Sequence, residues 1–175
     1  MTVFKREIGT RIVRLATEYP AVVLTGARQV GKTTLLRELF PRHHWVSLDL
    51  PSVAEQADHD AERFLVAHPA PLIVDEVQYA PKLFRHLKVA IDADRHRMGQ
   101  YLLTVSQKFV LMKEVADSLA GRAAITNLEP LSLTELGDVA PGWVPLLARG
   151  LFPELWRAPA TRASDFYASY PATYL

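Results

Sequence analysis

Eight consecutive residues near the start of the chain have the types and the spacing of a loop that binds phosphate. They fit the pattern G-x-x-x-x-G-K-[ST] and run Gly26, Ala27, Arg28, Gln29, Val30, Gly31, Lys32, Thr33. The glycines allow the backbone to curl so that successive N–H groups point at phosphate oxygens. We therefore expect this segment and Thr34 to bind a nucleotide, with Lys32 at the β- and γ-phosphates and the Thr33 hydroxyl as a ligand of Mg²⁺. The alternative interpretation is a glycine turn that happens to contain a lysine.

Two adjacent carboxylates follow an aliphatic run further along the chain. Asp75 and Glu76 come directly after Leu72-Ile73-Val74, an arrangement that resembles the Walker B element. We expect Asp75 to hold the Mg²⁺ shell beside Thr33 and Glu76 to orient and polarise the attacking water. An exposed acidic strand end without a chemical role is the alternative.

Two further polar residues are candidates for contact with the γ-phosphate. Ser106 follows an apolar run at 102–105, with Thr104 and Gln107 as alternates and helix capping as the other interpretation of the serine. Arg122 follows a helical pattern that is expected to pass near the site. Its guanidinium is a candidate for stabilising charge on the phosphoryl group, within one chain or across a subunit interface. A structural ion pair is the alternative role of Arg122.

The apolar pattern predicts the elements that must position these residues. Short runs of consecutive aliphatic residues indicate strands buried on both faces, and the predicted strands are 21–24, 45–48, 71–76, 101–105 and 124–128. Helical periodicity between and before these runs predicts helices from Phe4 to Leu15, at 33–40, within 52–68, from Pro81 to Ile91 and at 109–119. Alternating strands and helices predict an α/β fold with a largely parallel sheet and helices on both faces. Together with the loop motif, this is the fold class of a P-loop NTPase, an AAA-like α/β/α sandwich. Right-handed crossovers then bring the loops at 26–33, 75–76 and 106–107 to one edge of the sheet.

Composition limits the classes of protein to which the chain can belong. Its net charge of +1 calls for neither nucleic acid nor anionic lipid, and the absence of cysteine excludes disulfides and thiolate chemistry. The six histidines have no metal-ligand spacing. No apolar run has the length of a transmembrane helix, so we expect a cytoplasmic protein without a membrane partner. Prolines after residue 129 break the remainder into short pieces, and they predict that a core at 1–128 is followed, at 129–175, by the start of a second module rather than a complete domain.

Several stretches of the sequence resemble a prokaryotic family of AAA-type ATPases with a C-terminal domain of unknown function. These stretches are Leu24–Leu36, Leu72–Gln78, Ser118–Arg122 and Leu128–Leu136. The resemblance implies an N-terminal AAA domain that binds ATP and Mg²⁺ and releases ADP. It also implies that hydrolysis is coupled to motion of an attached module. On the same resemblance, a P-loop ATPase core at 1–128 is followed, at 129–175, by a connecting segment and the start of a truncated C-terminal module. One departure is Val105, which stands before Ser106 where the family usually has glycine.

Three functions remain open from the sequence. The first is hydrolysis of ATP, and the second is a nucleotide-gated interaction module with little turnover. The third is a DNA-associated ATPase, suggested by the nuclease-like folds to which the family's second domain is often likened. GTP is disfavoured, because the chain contains no Asn-Lys-x-Asp segment. A homo-oligomer is an open alternative, and the sequence does not identify a protein or DNA partner.

Overall fold

The structure is a computed structural model of the 175-residue chain, and it describes residues 4–106, 117–139, 142–158 and 160–174. The described residues form two compact units. The larger contains Ile8–Gly26 and Lys32–Leu128, and the smaller contains those within Met1–Glu7, Ala27–Gly31 and Glu129–Leu175. The predicted boundary between a core at 1–128 and a further module at 129–175 stays a prediction.

The larger unit is built on a five-stranded sheet in which every neighbouring pair of strands is parallel. The strands are β1 (Ala21–Thr25), β2 (His44–Ser47), β3 (Leu72–Asp75), β4 (Tyr101–Val105) and β5 (Ala123–Asn127). Each begins and ends within two residues of its predicted bounds. The consecutive aliphatic runs indicated the right strands because β1, β3 and β4 are buried along their whole lengths.

The order of the strands, β2-β3-β4-β1-β5, decides which loops become neighbours. Strand β4 lies between β1 and β3. The residues at the end of β4 therefore lie between the phosphate-loop motif that follows β1 and the two acidic residues at the end of β3. Thr25 pairs with Val105, and Val74 pairs with Leu103. Because the strands are parallel, the chain segments that follow β1, β3 and β4 leave from one edge of the sheet.

Five helices of the larger unit agree in type and approximate position with the periodic patterns. They are α1 (Gly9–Glu18), α2 (Lys32–Leu39), α3 (Pro51–His59), α4 (Ala61–Ala67) and α5 (Leu83–Ala93). The apolar face predicted for α5 is fully buried at Leu83, Phe84, Leu87 and Ile91, in one cluster with Leu72, Val74 and Leu103 from the sheet. Of the helix predicted at 109–119, residues 117–119 are helical and residues 109–116 lie outside the described ranges.

The start of the first helix was predicted too early. Helix α1 begins at Gly9, so Phe4 is not part of its apolar face. Phe4 instead belongs to the core of the smaller unit, together with Leu131, Leu136, Leu155 and Trp156. Helical spacing alone cannot distinguish an early helical turn from an apolar residue that packs elsewhere.

The described residues of the smaller unit's C-terminal segment form four α-helices. They are α6 (Leu133–Leu136), α7 (Trp143–Arg149), α8 (Pro153–Arg157) and α9 (Ala163–Tyr174). Ser132 and Glu135 form a capping box at the start of α6, each side chain bonding the backbone N–H of the other residue. Among the helices in the described parts of the chain, none is both long and apolar enough to cross a bilayer.

Candidate functional site

The carboxyl edge of the sheet brings five of the predicted residues together within the larger unit. Lys32 and Thr33 begin α2, which follows the loop after β1. Asp75 and Glu76 stand at the end of β3. Ser106 directly follows β4, and Gln107, its alternate, lies outside the described residues. The hydrogen bonds among these side chains form two groups, one around Asp75 and one around Glu76.

The first group surrounds the Asp75 carboxylate, which is only 5% exposed. Its Oδ1 accepts a hydrogen bond from Thr33 Oγ1 at 2.6 Å and another from Thr104 Oγ1 at 2.5 Å. Burial raises the pKa of the Asp75 carboxyl, as do the nearby carboxylates of Glu76 and Asp49, whereas the two hydroxyl donors act in the opposite direction. The sheet therefore keeps a carboxylate and a threonine hydroxyl in contact in a mostly buried position.

The oxygen atoms of Thr33 and Asp75 fit a Mg²⁺ ion that is bound jointly by protein and phosphate. They fit a metal held by protein ligands alone less well. Mg²⁺ prefers oxygen ligands and is usually held by one or two carboxylates together with substrate phosphates and water. Thr33 and Asp75 supply two such oxygens at the edge where the phosphate loop ends. Within the described ranges, no group of three or more His, Cys, Asp or Glu residues is arranged to hold a metal.

The second group links Lys32 to Glu76 through Ser106. The Lys32 ammonium, on a residue that is 5% exposed, donates to Ser106 Oγ at 2.7 Å and to the carbonyl oxygen of Gly26 at 2.9 Å. Ser106 Oγ donates in turn to Glu76 Oε1 at 2.5 Å, and Gln78 Nε2 donates to Glu76 Oε2. The group therefore connects the lysine of the loop motif to the carboxylate predicted to act on water.

Glu76 has a backbone conformation that side-chain-bearing residues rarely adopt. Its φ of 56° and ψ of 46° are left-handed, which costs about 1–3 kcal/mol for a residue other than glycine. Its N–H donates to Thr104 Oγ1 at 2.9 Å, and its carboxylate accepts from Ser106 and Gln78. These contacts hold the residue at the abrupt end of β3, and such stored strain is typical of functional positions.

Gly26 cannot be replaced by a larger residue without disturbing the start of the loop. Its φ is 147°, and a Cβ at this position would overlap the carbonyl oxygen of Leu128. The backbone N–H of Leu128 is itself bonded to the carbonyl oxygen of Thr25 at 2.8 Å. The loop therefore leaves β1 against the backbone that follows β5, which explains the glycine requirement at this end of the motif.

The tip of the loop, Ala27–Gly31, is part of the smaller unit. Gln29 and Gly31 both have positive φ, at 64° and 95°. The carbonyl oxygen of Arg28 accepts a hydrogen bond from Tyr170 Oη at 3.0 Å, and that of Val30 accepts one from Arg6 Nη1 at 2.8 Å. Two side chains distant in sequence thus contact the backbone of the predicted nucleotide-binding segment.

The prediction that Arg122 lies near the phosphates of its own chain is wrong. Arg122 directly precedes β5, and its carbonyl oxygen accepts from the N–H of Ala21, the first residue of β1. It therefore lies at the amino edge of the sheet, opposite the edge that carries Lys32. Its guanidinium binds both carboxylate oxygens of Asp92, at 2.7 and 2.8 Å. This is the ion pair considered as the alternative, and a role across a subunit interface stays a prediction.

Sequence reasoning underestimated one residue and missed two others. Thr104 was considered only as an alternate to Ser106, yet it is fully buried and bonds both acidic residues. A hydroxyl at the end of a buried strand was the signal for it. Arg6 and Tyr170 were not predicted, and their contacts cross 24 and 142 positions of sequence. No local pattern marks such contacts.

Comparison with known families identifies the larger part of the chain. A family model described as AAA domain matches residues 18–137. The chain belongs to the AAA domain family. This confirms the predicted AAA-type P-loop ATPase resemblance, whereas the C-terminal domain of unknown function stays a prediction.

Relatives of known sequence add little about activity. Uncharacterized proteins of Mycobacterium bovis and Mycobacterium tuberculosis are each 30% identical over 149 residues, which cover 80% of this chain and 32% of theirs. The chain thus spans about a third of the length of the curated relatives it matches.

Solved structures confirm the fold. The Walker-type ATPase of Pyrococcus abyssi aligns with a TM-score of 0.60 at 16% identity, over 95% of this chain and 72% of that one. The RuvB Holliday junction branch migration motor of Thermotoga maritima aligns with a TM-score of 0.50 at 22% identity, over 76% of this chain and 48% of that one. The fold is that of an α/β P-loop NTPase, and the family membership makes the chain a nucleotide-binding protein of the P-loop ATPase type.

Proposed function

We propose that this chain binds ATP together with Mg²⁺ and hydrolyses it to ADP and phosphate. The observation that carries the proposal is the hydrogen-bonded path from Lys32 through Ser106 to Glu76, beside the contact between Thr33 and Asp75. The path places a cation and a carboxylate on either side of one hydroxyl. Such an arrangement supports phosphate binding and water activation at the same edge of the sheet.

Binding of the triphosphate is assigned to the loop and its lysine. The N–H groups of Gly26–Thr33 and the amino end of α2 supply partial positive charge to phosphate oxygens. The Lys32 ammonium would exchange its bonds to Ser106 and the Gly26 carbonyl for bonds to the β- and γ-phosphates. Thr33 and Asp75 would hold Mg²⁺, which neutralises charge on the phosphates when bound.

Hydrolysis is assigned to Glu76, with Ser106 beside the γ-phosphate. The carboxylate would accept a hydrogen bond from the attacking water and take up its proton as the water oxygen bonds to the γ-phosphorus. The bond from that phosphorus to the β,γ-bridging oxygen breaks, and ADP leaves with the bridging oxygen. Each oxygen of Glu76 already accepts a bond, one from Ser106 and one from Gln78. We infer that Ser106 turns toward the phosphate and leaves Oε1 to the water.

The hydrogen bonds that both oxygens of Glu76 already accept also support the second candidate function, a nucleotide-gated module with little turnover. If Ser106 keeps its bond to Glu76 with ATP bound, water has poor access to that oxygen and the bound state persists. We further propose a cytoplasmic location and coupling of the nucleotide state to an attached module. A DNA-associated role has no support from the net charge of +1.

The test compares two site variants with matched exposed controls. ATP affinity is measured with and without Mg²⁺ for the wild type, Lys32→Ala and Lys88→Ala, because Lys88 is an exposed lysine of α5. Phosphate release is measured for Glu76→Gln and for Glu55→Gln, at an exposed glutamate of α3. We expect Lys32→Ala alone to lose binding and Glu76→Gln alone to lose turnover. A wild type that binds ATP but releases no phosphate would favour the gated module.

A further inference from the structure

Two side chains from outside the phosphate loop hold alternate carbonyl groups at its tip. Tyr170 Oη donates to the carbonyl oxygen of Arg28 at 3.0 Å, and Arg6 Nη1 donates to that of Val30 at 2.8 Å. All four residues belong to the smaller unit. Neither Arg6 nor Tyr170 falls within the loop motif, and neither has a part in the function proposed above.

Because a peptide group is planar, a contact that holds one of these carbonyl groups also fixes the direction of the N–H that follows it. In a planar trans peptide, the C=O of one residue and the N–H of the next point in opposite directions. Holding the Arg28 carbonyl therefore fixes the direction of the Gln29 N–H, and holding the Val30 carbonyl fixes that of the Gly31 N–H. The positive φ values of Gln29 and Gly31 are typical of the curled backbone in which N–H groups converge on an anion.

Arg6 is itself fixed by a set of buried contacts. Its Nε donates to Glu135 Oε2 at 3.0 Å, and the two side chains are 7% and 6% exposed. Its Nη2 donates to the carbonyl oxygens of Glu129 at 2.5 Å and Pro130 at 3.2 Å. A guanidinium with this many acceptors has little freedom to move, so the bond to Val30 has a defined direction.

Tyr170 is held by aromatic packing in the smaller unit. Its ring centroid lies 5.0 Å from that of Phe152 and 5.7 Å from that of Phe166. These are distances at which tilted aromatic pairs attract one another. The ring is therefore anchored in α9 and its neighbours, while the hydroxyl reaches the loop.

We propose that Arg6 and Tyr170 are positioning residues for nucleotide binding, which orient the Gln29 and Gly31 N–H groups toward the phosphates before the nucleotide arrives. The proposal rests on the nucleotide binding proposed above, and it makes affinity depend on the segment that contains α9. By linkage, phosphate bound at these amides strengthens the contacts of Arg6 and Tyr170 to the same degree.

The sharpest test removes one hydroxyl group at a time from α9. Tyr170→Phe deletes the donor to the loop, and Tyr167→Phe is the matched control, because Tyr167 Oη donates to the carbonyl oxygen of Arg149 at 2.9 Å. Calorimetry with Mg²⁺ and ADP gives the affinity of each variant. We expect Tyr170→Phe to bind about three- to tenfold more weakly than the wild type, the range of one hydrogen bond. Tyr167→Phe should bind as the wild type does.

A second readout needs no nucleotide. In ¹H–¹⁵N spectra of the nucleotide-free chain, Tyr170→Phe should shift the amide signal of Gln29, whereas Tyr167→Phe should leave it in place. Unchanged Gln29 signals in both variants, or equal losses of affinity, would overturn the proposal. A wild type that fails to bind nucleotide would contradict the proposed function instead, and the spectra would still decide the positioning role.

Arg6 is tested by separating its loop contact from its ion pair. Arg6→Lys removes the planar fork that reaches Val30 and Glu135 at once, whereas Glu135→Gln removes the charge of the partner and leaves the donor to Val30. We expect Arg6→Lys to weaken ADP binding about threefold or more and to shift the Gly31 amide signal. If Glu135→Gln reduced the affinity for ADP and shifted the Gly31 amide signal as much as Arg6→Lys does, Arg6 would be only a structural residue.

Discussion

Replacement of Thr104 by valine should expose how much the site depends on one hydroxyl. The side chain is fully buried, and its Oγ1 donates to Asp75 at 2.5 Å while it accepts from the N–H of Glu76 at 2.9 Å. Valine has nearly the same shape, so Thr104→Val removes both bonds with little change in packing.

The two bonds set the expected magnitude. A hydrogen bond to a charged group contributes about 1.5–3 kcal/mol, and one between neutral groups about 0.5–1.5 kcal/mol. Burial of the added methyl group returns about 0.8 kcal/mol. The free energy of unfolding should therefore fall by about 1–4 kcal/mol, and Mg²⁺-dependent ATP affinity should fall with it because Asp75 and Glu76 lose a common support.

Urea unfolding at neutral pH measures the change, and a second buried threonine provides the control. Thr25→Val removes a hydroxyl that donates to Asn127 Oδ1 at 2.8 Å, a neutral acceptor, so after the same allowance for the methyl group we expect a loss of less than about 1 kcal/mol. If Thr104→Val were no less stable than Thr25→Val, the two bonds of Thr104 would not have the stabilising effect assigned to them. If Thr104→Val kept the wild-type affinity for ATP in the presence of Mg²⁺, Thr104 would not support the site.

Three further substitutions test other parts of the account. Gly26→Ala should lower stability by about 2 kcal/mol or more in urea unfolding, because the positive φ and the Leu128 carbonyl oxygen exclude a side chain; wild-type stability would contradict this. Burial is the main cause that lowers the pKa of His43 below 6.5, so the unfolded chain takes up the proton first and stability is lost as pH falls below about 6.5. His43→Gln should flatten that decline in unfolding measured against pH, and an unchanged decline would contradict this. Arg122→Ala should leave calorimetric ATP affinity unchanged, and a large loss would return Arg122 to the site.

The sheet and its helices could be predicted because the apolar pattern of each segment shows, by itself, which of its residues are buried. Strand β3 is a run of aliphatic residues ending in Asp75, and α5 buries each apolar residue that its periodicity selects. The motif residues Lys32 and Asp75 could likewise be found, since their roles depend on local spacing and on leaving the same edge of a parallel sheet. Val105 extends β4 where the family usually has glycine, and Ser106 still reaches Lys32 and Glu76.

The parts that could not be predicted depend on which elements become neighbours. Thr104 meets Asp75 because β4 pairs with β3, and no pattern within either strand specifies that order. Arg122 was misplaced because the residue before a strand lies at the amino edge, whereas the prediction followed the preceding helix. The contacts of Arg6 and Tyr170 join segments far apart in sequence, and only the folded chain brings these together.

A single-turnover experiment shows whether the chain hydrolyses ATP and whether Glu76 acts on the water. The chain is mixed in excess over ATP with Mg²⁺, and the bound nucleotide is followed as it becomes ADP, in the wild type and in Glu76→Gln. We expect equal binding by both, conversion by the wild type, and conversion slower by about a hundredfold or more in the variant. Equal rates of conversion would contradict the assignment of water activation to Glu76, and ATP that stays intact on the wild type would contradict hydrolysis itself.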